Sequence, residues 1–328
     1  MPIREADVSV LVPTYRRTAE TVRALKSALA TGAGEIVVSL NTDPDGSERV
    51  FHALNDSRLR IVVQPSQLGL SLNHLAALRL SSRPFVKFLQ SDDHILPGGL
   101  KTLCDAFDEN TTVVSGLPYY EDLETGRVWG MRTPSRPGRW MSEEYLRRAE
   151  VAGNELGRPS YTVFRRDALP ADQQFWRDDL SIDWAANLVA ASRGEVAIVE
   201  RGAVVCGVHS AQDGATQGLS VATGRLVRTL ECLRDYADSP FRRIVSFQAA
   251  AGIFTVARQF VGLARRGCAP AYRGLSADMR RLARLIDWPT LLSYRGIARL
   301  VEAVRFRSTA ERLPVDAGLQ ATIHNLWL

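Results

Sequence analysis

FVKFLQSDDHILPGG, residues Phe85–Gly99, is the stretch on which the fold turns. Phe85, Val86, Lys87, Phe88 and Leu89 read as a buried strand with one charge in it. Two adjacent carboxylates, Asp92 and Asp93, and then His94 follow at its end. Charge beside a core is unfavourable unless something pairs it, and neighbouring carboxylates repel one another without a cation. A metal ion is one partner. A helix start is the other reading, because Asp is a good N-cap, but capping needs one carboxylate rather than two.

Working outward, the flanking sequence alternates between two periods. DVSVLVP (Asp7–Pro13) is a β-branched run closed by proline, and TAETVRALKSALA behind it puts Val22, Leu25 and Leu29 on one helical face. EIVVSL (Glu35–Leu40) is a second strand, NTDPDGS a turn cluster, and RLRIVVQ (Arg58–Gln64) a third strand. LSLNHLAALRLS is a helix with Leu72, Leu75, Ala76 and Leu80 inward, and GGLKTLCDAF a helix after the quoted strand. Strand–helix alternation with short connections predicts an α/β fold: a Rossmann-like, mostly parallel sheet with helices on both faces. Ligands of such sheets bind beyond the carboxyl ends of the strands, which singles out Pro13–Arg16, Asn41–Asp45 and Ser91–His94.

The middle of the chain is less regular. TVVSGLPYYEDLETGRVWGMR reads as a hairpin turning at Glu124-Thr125-Gly126, PSYTVFRRDAL as a strand entering a helix, IDWAANLVAASRG as a helix stopped at Gly194, and VAIVERGAVVCGVHS as two short strands. From about Val221 the pattern is helical, with breaks at Pro240, Pro270 and Pro289. The expected organisation is a catalytic domain over 1–220 and an α-helical C-terminal region over 221–328.

Composition bounds the function. The chain has 328 residues, 45% hydrophobic and 23% charged, as in a globular protein with a sizeable core. Cys104, Cys206, Cys232 and Cys268 are far apart and form no CxxC pair, which excludes a zinc-ribbon or disulfide framework and suits a reducing cytosol. The first residues show no signal pattern and no uninterrupted apolar run reaches about 18 residues, so a cytoplasmic protein without a membrane span is expected. The net charge of +5 is uneven: residues 221–328 hold 17 Arg against 8 Asp and Glu, a net +9, leaving −4 for the rest. A basic region of this kind suits an acidic substrate, an anionic membrane surface or the solvated faces of helices. Nucleic acid is disfavoured, since interleaved aromatics and a recognition motif are both missing.

VSVLVPTYRR, EIVVSLNTDPDGS, QLGLSLNHLAAL and FVKFLQSDDHILPGG, in this order and spacing, resemble family 2 glycosyltransferases of the GT-A fold, and the resemblance runs on through SYTVFRRDAL and DDLSIDWAANLVAASRG, covering roughly Asp7 to Ser210. It implies an inverting, metal-dependent transfer of a sugar from a nucleotide-diphosphate donor, UDP-linked or dTDP-linked, to an acceptor hydroxyl or amine. Asp93 would hold Mn²⁺ or Mg²⁺ and Asp92 the ribose or sugar, with His94 assisting. Pro13, Thr14, Tyr15 and Arg16 would hold the nucleotide, Tyr15 stacking on the base and Arg16 reaching a phosphate. Asn41 stands where the family carries an aspartate that accepts the uracil N3–H, and Asn73 and His74 stand where many members carry an Arg-Asn pair. Asp183 would be the general base, with Asp178 and Asp179 as competitors. His209 would lie near the diphosphate as a metal ligand, and Trp176 and Trp184 would be either an acceptor platform or core. Arg165 and Arg166 match the family's frequent Phe-Arg-Arg.

The departures at Asn41 and at Asn73-His74 keep open a degenerate protein that binds a sugar nucleotide or glycan without transfer. The acceptor class is open: small molecule, lipid-linked precursor or glycan. The C-terminal helices, among them FQAAAGIFTVARQFVGLARRG, are expected to close the acceptor site, pair two copies into a homodimer or lie on a membrane surface.

Overall fold

The computed structural model describes residues 2–132, 137–177, 181–200, 202–209, 219–236, 240–265, 275–306, 311–313, 315 and 317–325. Asp178, Asp179, Cys268 and Pro270 lie outside the described residues.

The first hundred residues fold as their periodicity predicts. Strands β1 (Val8–Thr14), β2 (Glu35–Leu40), β3 (Leu59–Val63) and β4 (Phe85–Phe88) alternate with helices α1 (Thr18–Leu29), α2 (Ser47–His52) and α3 (Leu70–Leu80). β1 pairs in parallel with β2 and β4, and β2 with β3. All seven residues of β1 are buried, as a central strand covered on both faces requires.

The sheet continues through β6 (Thr111–Gly116), β9 (Gly138–Trp140), β10 (Thr162–Arg165) and β11 (Glu195–Val199) to give the order β3-β2-β1-β4-β10-β6-β11-β9. β10 runs antiparallel to both β4 and β6, and β11 parallel to β6, so the sheet is mixed at this end. This is the mostly parallel, helix-covered α/β architecture expected of a GT-A fold.

A second sheet was not foreseen as a unit. It joins β5 (Asp93–Ile95), β7 (Tyr119–Asp122), β8 (Val128–Arg132), β12 (Val204–Val208) and β13 (Glu311–Leu313) in the order β13-β8-β7-β12-β5. The predicted hairpin at Glu124–Gly126 is its β7–β8 pair, while Thr111–Gly116 belongs to the main sheet. β5 is three residues long, too short for a periodic signal, yet it starts at Asp93 and so decides where that carboxylate points.

Helices α4 (Gly99–Asp105), α5 (Ser142–Ala152) and α6 (Ile182–Ser192) complete the first part, and α7 (Leu219–Asp235), α8 (Arg242–Arg265), α9 (Leu275–Arg284), α10 (Trp288–Leu292), α11 (Tyr294–Phe306) and α12 (Ala317–Asn325) follow. Val227, Leu230 and Phe247 of this helical region share one core with Tyr145, Trp176 and Leu188. Gln248, buried in α8, donates to the Ala149 and Glu150 carbonyls of α5. The N-terminal half of α8 is therefore core, while Phe254 further along is exposed. Among the described residues no helix is long and apolar enough to cross a membrane.

Candidate functional site

A cavity of about 650 Å³ opens where β1, β2 and β4 end, within the size range of small-molecule sites. Pro13, Thr14, Tyr15, Asn41, Asn73, His74, Asp92 and Asp183 of the predicted set line it, and Arg17, Gln90, Arg158, Ser181 and Arg225 join them.

The two aspartates part at the end of β4. The Asp93 N–H donates to the Gln90 carbonyl in a tight turn, and β5 then pairs antiparallel with β12, Cys206 opposite Asp93. Asp93 is thereby drawn inward and is 1% exposed. Its Oδ1 accepts the Gly207 N–H at 3.1 Å. Burial, together with the charge of Asp92, pushes this carboxyl well above the usual carboxylate range, against the pull of Arg158 and of the Ser160 and Cys206 side chains. Asp93 is not part of the cavity wall. Asp92 is, and its Oδ2 lies 3.4 Å from His209 Nε2. Of the two aspartates, Asp92 rather than Asp93 therefore faces the cavity.

Gly207 explains how His209 arrives. A Cβ on Gly207 would stand 2.4 Å from the Asp92 carbonyl oxygen, so only glycine lets β12 come this close to the aspartate turn. His209, two residues on, then lies beside Asp92.

Arg17 Nη1 sits against both groups, 2.7 Å from His209 Nε2 and 3.3 Å from Asp92 Oδ2. A guanidinium can only donate, so His209 Nε2 is an acceptor here, with its lone pair turned to a cation. This is the donor set a divalent ion takes: one carboxylate oxygen and one imidazole nitrogen. Among the described residues no three or more His, Cys, Asp and Glu side chains gather as a complete cage, so phosphate or water oxygens would fill the remaining positions.

Other predicted contacts are engaged within the protein. Arg16 takes φ 52° and turns outward, its guanidinium 5.1 Å from the Tyr15 ring centre, so Arg17 rather than Arg16 faces the cavity. Asn41 Oδ1 accepts the Leu68 N–H at 2.6 Å and Nδ2 donates to the Leu68 carbonyl at 2.7 Å. It therefore pins the loop ahead of α3, and its oxygen is already engaged rather than waiting for a base N–H. Asn73 Oδ1 accepts from Ser39, and Nδ2 donates to the Ser39 carbonyl at 3.2 Å, which ties α3 to the end of β2.

Helix α3 buries Ser71, Asn73, His74, Leu75, Ala77 and Leu78, so polar residues share the inward side with the predicted apolar face; Leu72 and Leu80 are only partly buried. The reason is the ring of internal hydrogen bonds that satisfies them. Gln90 Nε2 donates to His74 Nε2 at 2.8 Å, and His74 Nδ1 donates to the Leu70 carbonyl at 2.8 Å. Burial pulls the imidazole down to about 4. A depressed histidine contributes stability that is present above its unfolded value of 6.5 and is lost as pH falls towards 4. Between about pH 7.5 and about pH 5 the loss is about 2 kcal/mol. His74→Asn should flatten the pH dependence of the urea midpoints by about that amount, leaving the slope that His94 sets.

His94 is buried on β5, held near 4 by burial, and stands off the cavity wall. Trp176 and Trp184 are core: Trp176 donates to the Pro170 carbonyl at 2.7 Å and packs at Phe88 and Phe175. Arg165 pairs with Asp167. Lys87 is fully buried, donates to the Ser160 carbonyl, and is pulled down to about 8 by burial.

Asp183 stands at the start of α6, on the cavity wall. Burial raises its pKa, opposed by the Trp184 N–H and by Arg158 and Arg225. Asn154 Nδ2 donates to Asp183 Oδ2 at 3.2 Å, and Asn187, one turn on from Asp183, donates to Asn154 Oδ1 at 2.9 Å. This pair of amides orients the carboxylate. Asn154, Arg158 and Arg225 carry no motif, and only the folded chain brings them to Asp183. Arg17 was within reach of the sequence reading, as the second arginine of PTYRR.

Comparison with known proteins finds the same fold. S. aureus TarS 1-349, solved in complex with UDP-GlcNAc, is similar in structure with TM-score 0.62 at 16% identity, over 91% of this chain and 89% of that one. The mannosyltransferase PcManGT from Pyrobaculum calidifontis, solved in complex with GDP-Man and Mn²⁺, has TM-score 0.52 at 16% identity, over 92% and 87%. At these identities the likeness is one of fold. An uncharacterised Mycobacterium tuberculosis protein is 25% identical over 53% of this chain and 57% of its own length. An uncharacterised glycosyltransferase of Rickettsia bellii is 27% identical over 38% of this chain and 18% of its own length. The chain thus spans between about a fifth and just over half of these curated relatives. Residues 9–170 match the family described as glycosyl transferase family 2. Through that segment, which carries β1–β4 and the Asp92-Asp93 turn, the chain belongs to glycosyl transferase family 2.

Proposed function

We propose that the protein transfers a sugar from a nucleoside-diphosphate donor, UDP-linked or dTDP-linked, to an acceptor hydroxyl or amine by a single displacement with inversion. The observation that carries this reading is one cavity with Asp92, Arg17 and Asp183 on its wall and His209 beside Asp92 and Arg17. The nucleotide sugars held by TarS and PcManGT, and the Mn²⁺ of the latter, support the same class of donor.

Asp92 and His209 are the residues that would hold Mn²⁺ or Mg²⁺. When bound, the cation offsets charge on the departing diphosphate. Arg17 adds a second positive charge at the same place. Pro13, Thr14 and Tyr15 form the nucleotide end. Asp183 accepts the proton of the acceptor as its oxygen or nitrogen attacks the anomeric carbon. The bond from that carbon to the phosphate oxygen breaks, and the nucleoside diphosphate leaves with the electron pair. A single base with no protein nucleophile gives inversion.

Calorimetric titration of UDP, dTDP, GDP and ADP, each with Mn²⁺, with Mg²⁺ and with EDTA, tests the donor site. One diphosphate should bind in the micromolar range with metal and at least ten-fold more weakly in EDTA. No binding under any condition would sink the transferase reading and favour the degenerate binding protein.

A further inference from the structure

The part of the cavity around Asp183 carries more positive charge than the base requires. Arg158 and Arg225 both line it with Ser181, Ile182 and Asp183. Arg225, on α7, has its Nε buried with no hydrogen-bond partner. Arg158 lies over the Tyr120 ring at 5.9 Å, and its guanidinium donates no hydrogen bond among the described residues. Among the described residues neither arginine forms an ion pair with Asp183 or with any other carboxylate, in contrast to Arg148, Arg243 and Arg281, which all do.

Half-buried guanidiniums such as these, within the field of Asp183 and, for Arg158, of Asp93 but hydrogen-bonded to neither carboxylate, keep N–H groups open to a ligand. Two of them facing one cavity form a ready receptor for an oxyanion, which arginine binds through its planar fork of N–H groups. Charge at the departing diphosphate is already met by Arg17 and would be met by the cation that Asp92 and His209 would hold. The surplus cations stand instead beside the carboxylate that meets the acceptor, and Arg225 belongs to the region of net charge +9, whose field attracts anions.

We infer that the acceptor carries an oxyanion, a phosphate or a carboxylate, near the group that receives the sugar, and that Arg225 and Arg158 hold it. This rests on the reading of the cavity as a transferase site with Asp183 as base. Arg225 then selects acidic acceptors over neutral ones of the same shape and sets the distance from the anion to the reacting group.

The test uses the full chain with Mn²⁺ and a saturating amount of the diphosphate found by titration. Four probes are compared by ligand-observed NMR: sn-glycerol 3-phosphate, D-glucuronate, and their neutral counterparts glycerol and D-glucose. One anion should bind in the millimolar range, at least ten-fold more tightly than its neutral counterpart, and which one binds separates phosphate from carboxylate recognition. Arg225→Gln should weaken that binding ten-fold or more, Arg225→Lys should recover part of it, and nucleotide affinity should shift less than two-fold in both. Equal binding of anion and neutral probe, no binding of either anion, or unchanged anion binding in Arg225→Gln would overturn the inference. Anion binding that vanishes when the diphosphate is present would also overturn it, by assigning the arginines to the donor. Failure of the diphosphate itself to bind would instead bring down the transferase reading.

Discussion

Asp183→Asn should lower kcat by roughly 10²–10⁴-fold, the usual contribution of a positioned general base, while nucleotide affinity stays within a few-fold. Asparagine keeps the shape and the helix-start position but cannot take a proton. The pH profile sharpens the test. Burial raises the Asp183 carboxyl above its ordinary value of 3.8. Only the ionised form accepts a proton, so the rate should fall as pH drops through that raised value. The acid limb of kcat/KM should therefore lie above 3.8 in the wild type and be absent from the residual activity of Asp183→Asn. Asn154→Ala removes a hydrogen bond donated to the ionised carboxylate and should move the limb to higher pH. Full activity in Asp183→Asn with loss in Asp179→Asn would transfer the role to Asp179.

Asp92→Asn should weaken metal-dependent nucleotide binding on the order of 100-fold, about 2.7 kcal/mol, whereas Asp93→Asn should change it only a few-fold. Asp92 faces His209 and the cavity, and an amide in its place offers the cation a neutral, weaker oxygen. Asp93 is buried against Gly207, and an amide can keep its oxygen toward that N–H. The calorimetric series with Mn²⁺ and with EDTA reads both variants, and EDTA should bring wild type and Asp92→Asn close together. Dependence on Asp93 with indifference to Asp92 would restore the assignment made from the sequence.

The amino-acid sequence by itself determined the α/β class, the first four strands and their helices, and the sheet edge at which ligands bind. These follow from local periodicity. A run such as EIVVSL buries on both faces wherever it is central, and the loops behind the strands hold the polar residues that the core rejects. It also brought out the Asp92-Asp93 pair, because unusual charge beside an apolar run is visible locally, whereas Asp183 and His209 entered through the resemblance to family 2 glycosyltransferases.

The tertiary structure alone decided which of these groups meet. Adjacent residues on an extended chain point to opposite sides, so composition cannot separate Asp92 from Asp93; the pairing of β5 with β12, more than a hundred residues later, does. Arg17 meets His209 across 192 positions of sequence. Asn41 and Asn73 have the chemistry to bind a nucleobase, but the fold commits their amides to Leu68 and Ser39, because buried polar groups are satisfied by the nearest partner the packing supplies. Arg158 and Arg225 carry no sequence signal at all. Their significance is that the folded chain leaves them facing one cavity beside Asp183 without an ion pair among the described residues, a property of long-range packing that a linear pattern does not encode.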